Sequence, residues 1–252
     1  MGDSIKNWQK FGENDPYYGV LSDEKFRSSK INDASLKEFF ESGRAFVKET
    51  EERLSKNFGC SLNGKKILDF GCGVGRLTLP FAEAGKNETL GVDISNGVLE
   101  KAKQHQSMLN VQNARFRKYD GKNLSLGKDF DFINSYIVFQ HIEPDKGMDL
   151  LRQLLSALKP GGFIQVHLTH GHCLPWKTYA NFYLRTKVPI YNFFYSSLKH
   201  RKFLSEPTMQ MNHYSINKLY EMFRAVSQDL YIVHTNHGGH LGAIYLLQKQ
   251  TL

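Results

Sequence analysis

The sequence predicts an α/β fold, a doubly wound seven-stranded sheet of five parallel strands closed by an antiparallel C-terminal pair. Three observations carry this. Short apolar runs alternate with helical patterns from Lys66 onward, as parallel strands with crossover helices require. A glycine-rich turn follows the first of those runs. The last two runs are joined only by Asn236–His240, too short for a parallel crossover, so they must pair antiparallel.

The elements follow in order. Lys66–Phe70 reads as the first strand and Thr89–Asp93 as the second, with a helix from about Arg76 to Ala84 between them, ended by Gly85. Ser95 is placed to cap a helix through Val98, Leu99 and Ala102. Ala114–Tyr119 and Phe130–Tyr136 are the third and fourth strands. Lys146–Leu158 puts Leu151, Leu154, Leu155 and Leu158 on one helical face. Lys159-Pro160-Gly161-Gly162 stops that helix, and Phe163–Leu168 is the fifth strand. An aromatic, basic insertion without a clean period runs from about residue 170 to 212. Ser215 then caps a helix carrying Leu219, Met222, Phe223 and Val226 at i, i+3, i+4 and i+7. Leu230–Thr235 and Ala243–Gln248 close the sheet.

Size and composition bound the possibilities. With 252 residues, 40% hydrophobic and 23% charged, the chain suits one globular domain with additions. No run approaches the ~20 apolar residues of a membrane span. The start lacks the apolar core of a secretory signal, and Cys60, Cys72 and Cys173 share no metal-type spacing. Reduced thiols in a cytoplasm are the expectation. Of the net charge of +8, the insertion supplies +5: Lys177, Arg185, Lys187, Lys199, Arg201 and Lys202 stand against Glu206 alone. Such a cluster is either a solvated face or an attractor of an acidic ligand or surface.

The strongest chemical signal is Asp69-Phe70-Gly71-Cys72-Gly73-Val74-Gly75-Arg76. Alternate glycines after a strand let a ligand approach the backbone closely. A dinucleotide fingerprint would need glycine where Arg76 stands, which disfavours a nicotinamide oxidoreductase. Asp93 ends the second strand and can accept from two ribose hydroxyls, and Asp120-Gly121 follows the third strand. All three acids fall at carboxyl ends of strands near the chain crossing, where open α/β sheets bind ligands. Each alone is as good a cap or turn residue; together they outline a nucleoside-shaped site.

These motifs resemble the class I S-adenosylmethionine-dependent methyltransferases, over roughly Leu62–Leu168 and Tyr214–Gln248. The resemblance implies a Rossmann-like domain at 61–252, S-adenosylmethionine as cofactor and S-adenosylhomocysteine as its product. It also implies cofactor contacts from Asp69, Gly71, Cys72, Gly73, Arg76, Asp93, Ile94, Asp120, Gly121, Tyr136 and Gln140. In that picture Gly71 and Gly73 underlie the methionine part, Asp69 points toward its amino group, and Arg76 meets either its carboxylate or a helix neighbour. Trp8, Asn14–Leu21 and Phe39-Phe40-Glu41-Ser42-Gly43-Arg44 are similar to the lead-in of a bacterial small-molecule subgroup. That similarity implies a helical lid over residues 1–60, with Gly43 and Arg44 near the cofactor.

On the acceptor side, His141 in Gln140-His141-Ile142-Glu143 is either a general base or a packing residue. His213 and Tyr214, where the chain re-enters the sheet, form a second catalytic candidate group. His170, His172, His237 and His240 are further possibilities, while His167, His170 and His172, without a carboxylate cluster, read as scattered histidines, and no metal site is expected. The insertion's aromatics build either a helical cap or a homodimer interface, or close over an anionic acceptor. The expectation is methyl transfer to a small, anionic acceptor, phosphorylated or sugar-like, with oxygen favoured over nitrogen. The rivals are an RNA methyltransferase, against which stand the missing recognition domain and basic tail, and a cofactor-binding protein without turnover.

Overall fold

The computed structural model describes residues 2–200 and 207–251. The chain opens with three helices, α1 (Gly2–Asn14), α2 (Pro16–Val20) and α3 (Asp33–Phe58). Asn32 caps α3 by accepting from the Ser35 N–H, while the Ser35 side chain accepts from the Asn32 N–H. The repeating part then runs β1 (Lys66–Phe70), α4 (Thr78–Glu83), β2 (Glu88–Asp93), α5 (Asn96–Met108), β3 (Ala114–Lys118), β4 (Phe130–Ser135), α6 (Pro144–Ala157) and β5 (Leu158–His172). After β5 come α7 (Trp176–Lys187), α8 (Pro189–His200), α9 (Ile216–Arg224), β6 (Leu230–His237) and β7 (His240–Gln248).

The seven strands lie in the order β3-β2-β1-β4-β5-β7-β6, and only the β5–β7 and β6–β7 pairs are antiparallel. The winding reverses between β1 and β4, so a crevice opens at their carboxyl ends. The pleat sends Leu68 and Phe70 toward α6 and α9, where Leu151, Leu154, Leu219 and Phe223 complete one core layer. Ile67, on the other face, meets Phe46, Val47 and Leu54 of α3 together with Phe81 of α4.

Three expectations change. β5 begins at Leu158 rather than Phe163, because Leu158 pairs with Phe130 ahead of a bulge. It also runs on to His172, since β7 keeps pairing with it as far as His240. The insertion, without a clean period in sequence, contains two helices, α7 and α8. The segment 1–60 is not a lid throughout: α3 is buried against the sheet, and only α1, α2 and the turn after them reach the crevice. Arg201, Lys202, Phe203 and Glu206, and the side chain of Lys199, lie outside the described residues.

Candidate active site

A cleft of about 830 Å³ opens over the carboxyl ends of β1, β2 and β4. Its floor is the turn after β1. Gly71 and Gly73 have φ of +77° and +53°, and a Cβ on Gly71 would stand 2.2 Å from Val138 Cγ2. Asp93, at the end of β2, turns its carboxylate into the wall. Its Oδ2 accepts from the Gly73 N–H at 2.9 Å and its Oδ1 from the Ser95 N–H at 3.0 Å. These bonds fix the carboxylate and oppose the burial that raises its proton affinity.

Ser4, Ile5, Trp8 and Phe11 of α1 close one side. α1 lies tightly on α5 because glycines meet at the crossing: a Cβ on Gly97 would come within 2.5 Å of the Gly12 carbonyl oxygen. Gln9 Nε2 donates to the Ile94 carbonyl at 2.8 Å, tying α1 to the end of β2. Tyr136, Ile137 and Val138, just beyond β4, form another side. Ile137 has φ of +59°, an uncommon conformation for a β-branched residue. The far end is built from Phe182 of α7, Met209–Met211, and His237, Gly238 and His240 of the β6–β7 hairpin.

A cleft with a glycine floor and a fixed carboxylate on its wall fits an adenosine joined to an amino acid. A family model described as a methyltransferase domain matches residues 67–162. A mitochondrial ubiquinone biosynthesis O-methyltransferase of Schizosaccharomyces pombe is 37% identical over 102 residues, covering 40% of this chain and 36% of that protein. A demethylmenaquinone methyltransferase of Listeria welshimeri is 26% identical over 187 residues, covering 72% of this chain and 77% of that protein. Among solved structures, magnesium protoporphyrin IX methyltransferase from Synechocystis with bound S-adenosylhomocysteine superposes with a TM-score of 0.63, at 16% identity and 98% coverage of both chains. That likeness shows the fold. The matched segment is a methyltransferase domain, and the chain is an S-adenosylmethionine-dependent methyltransferase.

Within this methyltransferase, Gly71, Gly73, Asp93, Ile94, Gly121, Tyr136, Gln140 and His141 all line the cleft. Other residues singled out in sequence lie elsewhere. Asp69 shares the pleat face of Ile67 and points into the layer beneath α3 and α4. Thr78 Oγ1 donates to its Oδ2 at 2.6 Å and Asn134 Nδ2 to its Oδ1 at 2.8 Å. Gln165 Nε2 extends this buried chain from Asn134 to Thr50. Burial raises the Asp69 pKa, and its carboxylate lies in this buried chain rather than in the cleft lining.

Arg76 is buried beside α3, its Nη1 donating to Ser42 Oγ at 3.2 Å. Gly43 packs on the Arg76 carbonyl, which a Cβ would approach to 2.1 Å. Arg44 pairs with Glu83 and Glu41 at the surface. Cys72 is buried, and burial pushes its thiol well above the usual range. Asp120 is exposed and spends Oδ1 on the Lys122 and Asn123 N–H groups, closing its own turn. Gly43, Arg44, Asp69, Cys72, Arg76 and Asp120 therefore do not border the cleft.

His141 is buried at the cleft margin, with its ring 4.9 Å from Trp8. Its Nδ1 lies 2.6 Å from the Gln210 carbonyl, which only an N–H can satisfy, so Nε2 is the unprotonated nitrogen. Gln140 Nε2 sits 3.3 Å from that nitrogen. Burial pulls the His141 pKa down to about 4, so the ring is neutral at physiological pH and a weak base. Tyr214 is buried with its hydroxyl against the Phe139 and Ile142 carbonyls, fastening the segment before α9 to the turn between β4 and α6 rather than facing substrate. His213 lies outside the cleft lining, 5.6 Å from the His172 ring.

Sequence reasoning left out Ile137, Val138, Phe182 and Met209–Met211. Of these, only Phe182 carried a signal, as part of the aromatic insertion. His237 and His240 were among the further possibilities for the acceptor side, and both line the cleft. His237 Nε2, His240 Nδ1, His172 Nδ1 and His213 Nε2 are buried without a hydrogen-bond partner. Among the described residues no three His, Cys, Asp or Glu side chains are arranged to hold a metal.

Proposed function

We propose that the chain methylates an oxygen of a small acceptor carrying an anionic group, bound at the histidine-lined end of the cleft. The observation that carries this reading is that one continuous cleft joins two unlike ends: the Gly71–Gly73–Asp93 wall, and a far end of Phe182, His237 and His240. Asp93 holds the ribose hydroxyls, the glycine turn takes the methionine part, Ile94 and Gly121 flank the adenine, and Tyr136 and Gln140 border the reacting region. Residues of α1 and α2 act as the lid of a catalytic domain that begins after α3. The cofactor supplies an electrophilic methyl group on a sulfonium.

The protein's remaining tasks are to align the acceptor and receive its proton. His141 is poorly suited to the second, being held by Gln210 and weakened by burial. Burial also weakens His237 and His240, but their Nε2 and Nδ1 are held by no partner at the acceptor end, and these are the groups we assign to it. An anionic group on the acceptor is supported by the +5 charge of the segment from Gly171 to Gln210. The printed name of the Schizosaccharomyces relative, an O-methyltransferase, supports oxygen.

Calorimetry with S-adenosylmethionine and S-adenosylhomocysteine tests the cofactor half, and absence of heat for both overturns it. A screen with methyl-labelled cofactor then compares hydroxyl compounds with and without a phosphate or carboxylate. Turnover confined to uncharged acceptors removes the anionic requirement, and turnover confined to amines removes oxygen.

A further inference from the structure

The α7–α8 hairpin turns its apolar side outward. No residue of α7 is buried, and Trp176 keeps 74% of its surface exposed. α8 is inverted relative to an ordinary amphipathic helix. Asn192 and Ser196 are buried on its inner side, whereas Ile190, Phe194 and Leu198 are 66%, 65% and 84% exposed. Those three recur every fourth residue and so form one row. The polar groups are engaged within the hairpin. Arg185 Nε donates to Asn192 Oδ1 at 3.3 Å, and the Arg185 guanidinium lies 4.3 Å from the Tyr195 ring centre. Tyr183 and Leu184 of α7 are exposed as well. A scattered apolar side chain at a surface is ordinary, but a contiguous row is a contact surface.

Charge decides what covers it. Residues 171–205 contain six Lys and Arg and no Asp or Glu. Lys177 and Lys187 of the same hairpin are exposed, and the Lys177 ammonium lies 5.7 Å from the Trp176 ring centre. A second copy meeting this face across a two-fold axis would set like charges together. An anionic lipid surface instead supplies both an apolar layer and the missing counter-charge. Tryptophan and tyrosine suit that boundary, with apolar rings and a polar edge. Among the described residues no helix is long and apolar enough to cross a membrane, so the hairpin lies on the surface rather than through it.

We infer that α7 and α8 dock the protein onto an anionic membrane, with Trp176, Ile190, Phe194 and Leu198 entering the headgroup boundary and Lys177 and Lys187 meeting lipid phosphates. Phe182 of the same hairpin borders the cleft, so docking brings the acceptor end of the site to the membrane. This inference is independent of which atom is methylated.

Co-sedimentation of the whole chain with vesicles tests it, comparing pure phosphatidylcholine with a two-to-one mixture of phosphatidylcholine and phosphatidylglycerol. Binding to the mixed vesicles, reversed by high salt, is expected. It should bring a blue shift in tryptophan emission that Trp176→Phe removes. The double variant Phe194→Ser with Leu198→Ser should lower partitioning by about tenfold or more, with cofactor affinity unchanged as the check on folding. Should that pair misfold, Lys177→Glu with Lys187→Glu tests the same face and should abolish only the preference for anionic vesicles. Equal partitioning of wild type and folded variants overturns the inference. So does failure to bind either vesicle, including the case in which the wild type forms a dimer that the serine variants dissolve.

Discussion

Replacing His141 with asparagine separates a buried neutral imidazole from a working base. The unfolded ring titrates near 6.5, and the folded ring, stripped of water, near 4. Between those values the unfolded chain binds a proton that the folded chain refuses, so stability rises with pH. The contribution is complete above pH 6.5 and is lost as pH falls through 4. The difference corresponds to about 3 kcal/mol. Asparagine keeps an N–H to offer the Gln210 carbonyl but cannot titrate. Urea unfolding at pH 7 and pH 4 should therefore show the wild type losing about 3 kcal/mol more than His141→Asn, since the other buried histidines are common to both. In turnover, a neutral His141 predicts no His141-dependent limb in kcat between pH 6 and 8. Equal acid losses in the two proteins, or a kcat limb near pH 6.5 that the variant abolishes, would refute the reasoning.

Asp93→Ala removes the carboxylate we assign to the ribose hydroxyls and orphans the Gly73 and Ser95 N–H groups; cofactor affinity by calorimetry should fall by about a hundredfold or more. Tyr214→Phe should cost about 1 kcal/mol of stability in urea melts and leave kcat unchanged, because the hydroxyl is spent on backbone carbonyls; a collapse of kcat at unchanged stability would restore a catalytic role. Asp69→Ala strands Thr78 and Asn134 in the core and should cost about 2–4 kcal/mol while barely moving the cofactor Kd of the folded protein. Ile137→Gly should relieve backbone strain yet loosen the wall of the cleft, giving a weaker cofactor Kd that exceeds any loss of stability.

The sheet was legible because its signals are local. Strands β1 to β4 and helix α9 each carry a period and a stop within a dozen residues, and the brevity of Asn236–His240 dictates the antiparallel ending. The full length of β5 was not, since Leu158 and His172 are held in the strand by Phe130 and His240, remote in sequence. α8 was missed for a different reason. Its apolar residues do recur every fourth position, but a helix is ordinarily recognised by an apolar face that goes inward. Here the inward face carries Asn192 and Ser196.

The acids of the site show where a motif stops being informative. Asp69 and Asp93 both lie at the carboxyl ends of neighbouring strands, β1 and β2, a placement that by itself lets either face the crevice. The pleat decides: Asp69 is in phase with Ile67, on the face covered by α3 and α4, whereas the Asp93 carboxylate is drawn to the cleft by the Gly73 and Ser95 amides. Ile137 adds a constraint that only three dimensions reveal. With φ at +59° the chain bends sharply beyond β4 and carries Val138 over Gly71, where a Cβ would stand 2.2 Å from it. An L-residue in that conformation costs about 1–2 kcal/mol, so the surroundings must hold it there. The absent side chain at Gly71 leaves the room, which makes the glycine of the turn and the bend after β4 one matched arrangement. The glycine at 71 thus serves two approaches at once, that of a ligand from above and that of Val138 from the side, and only the first is readable in the motif.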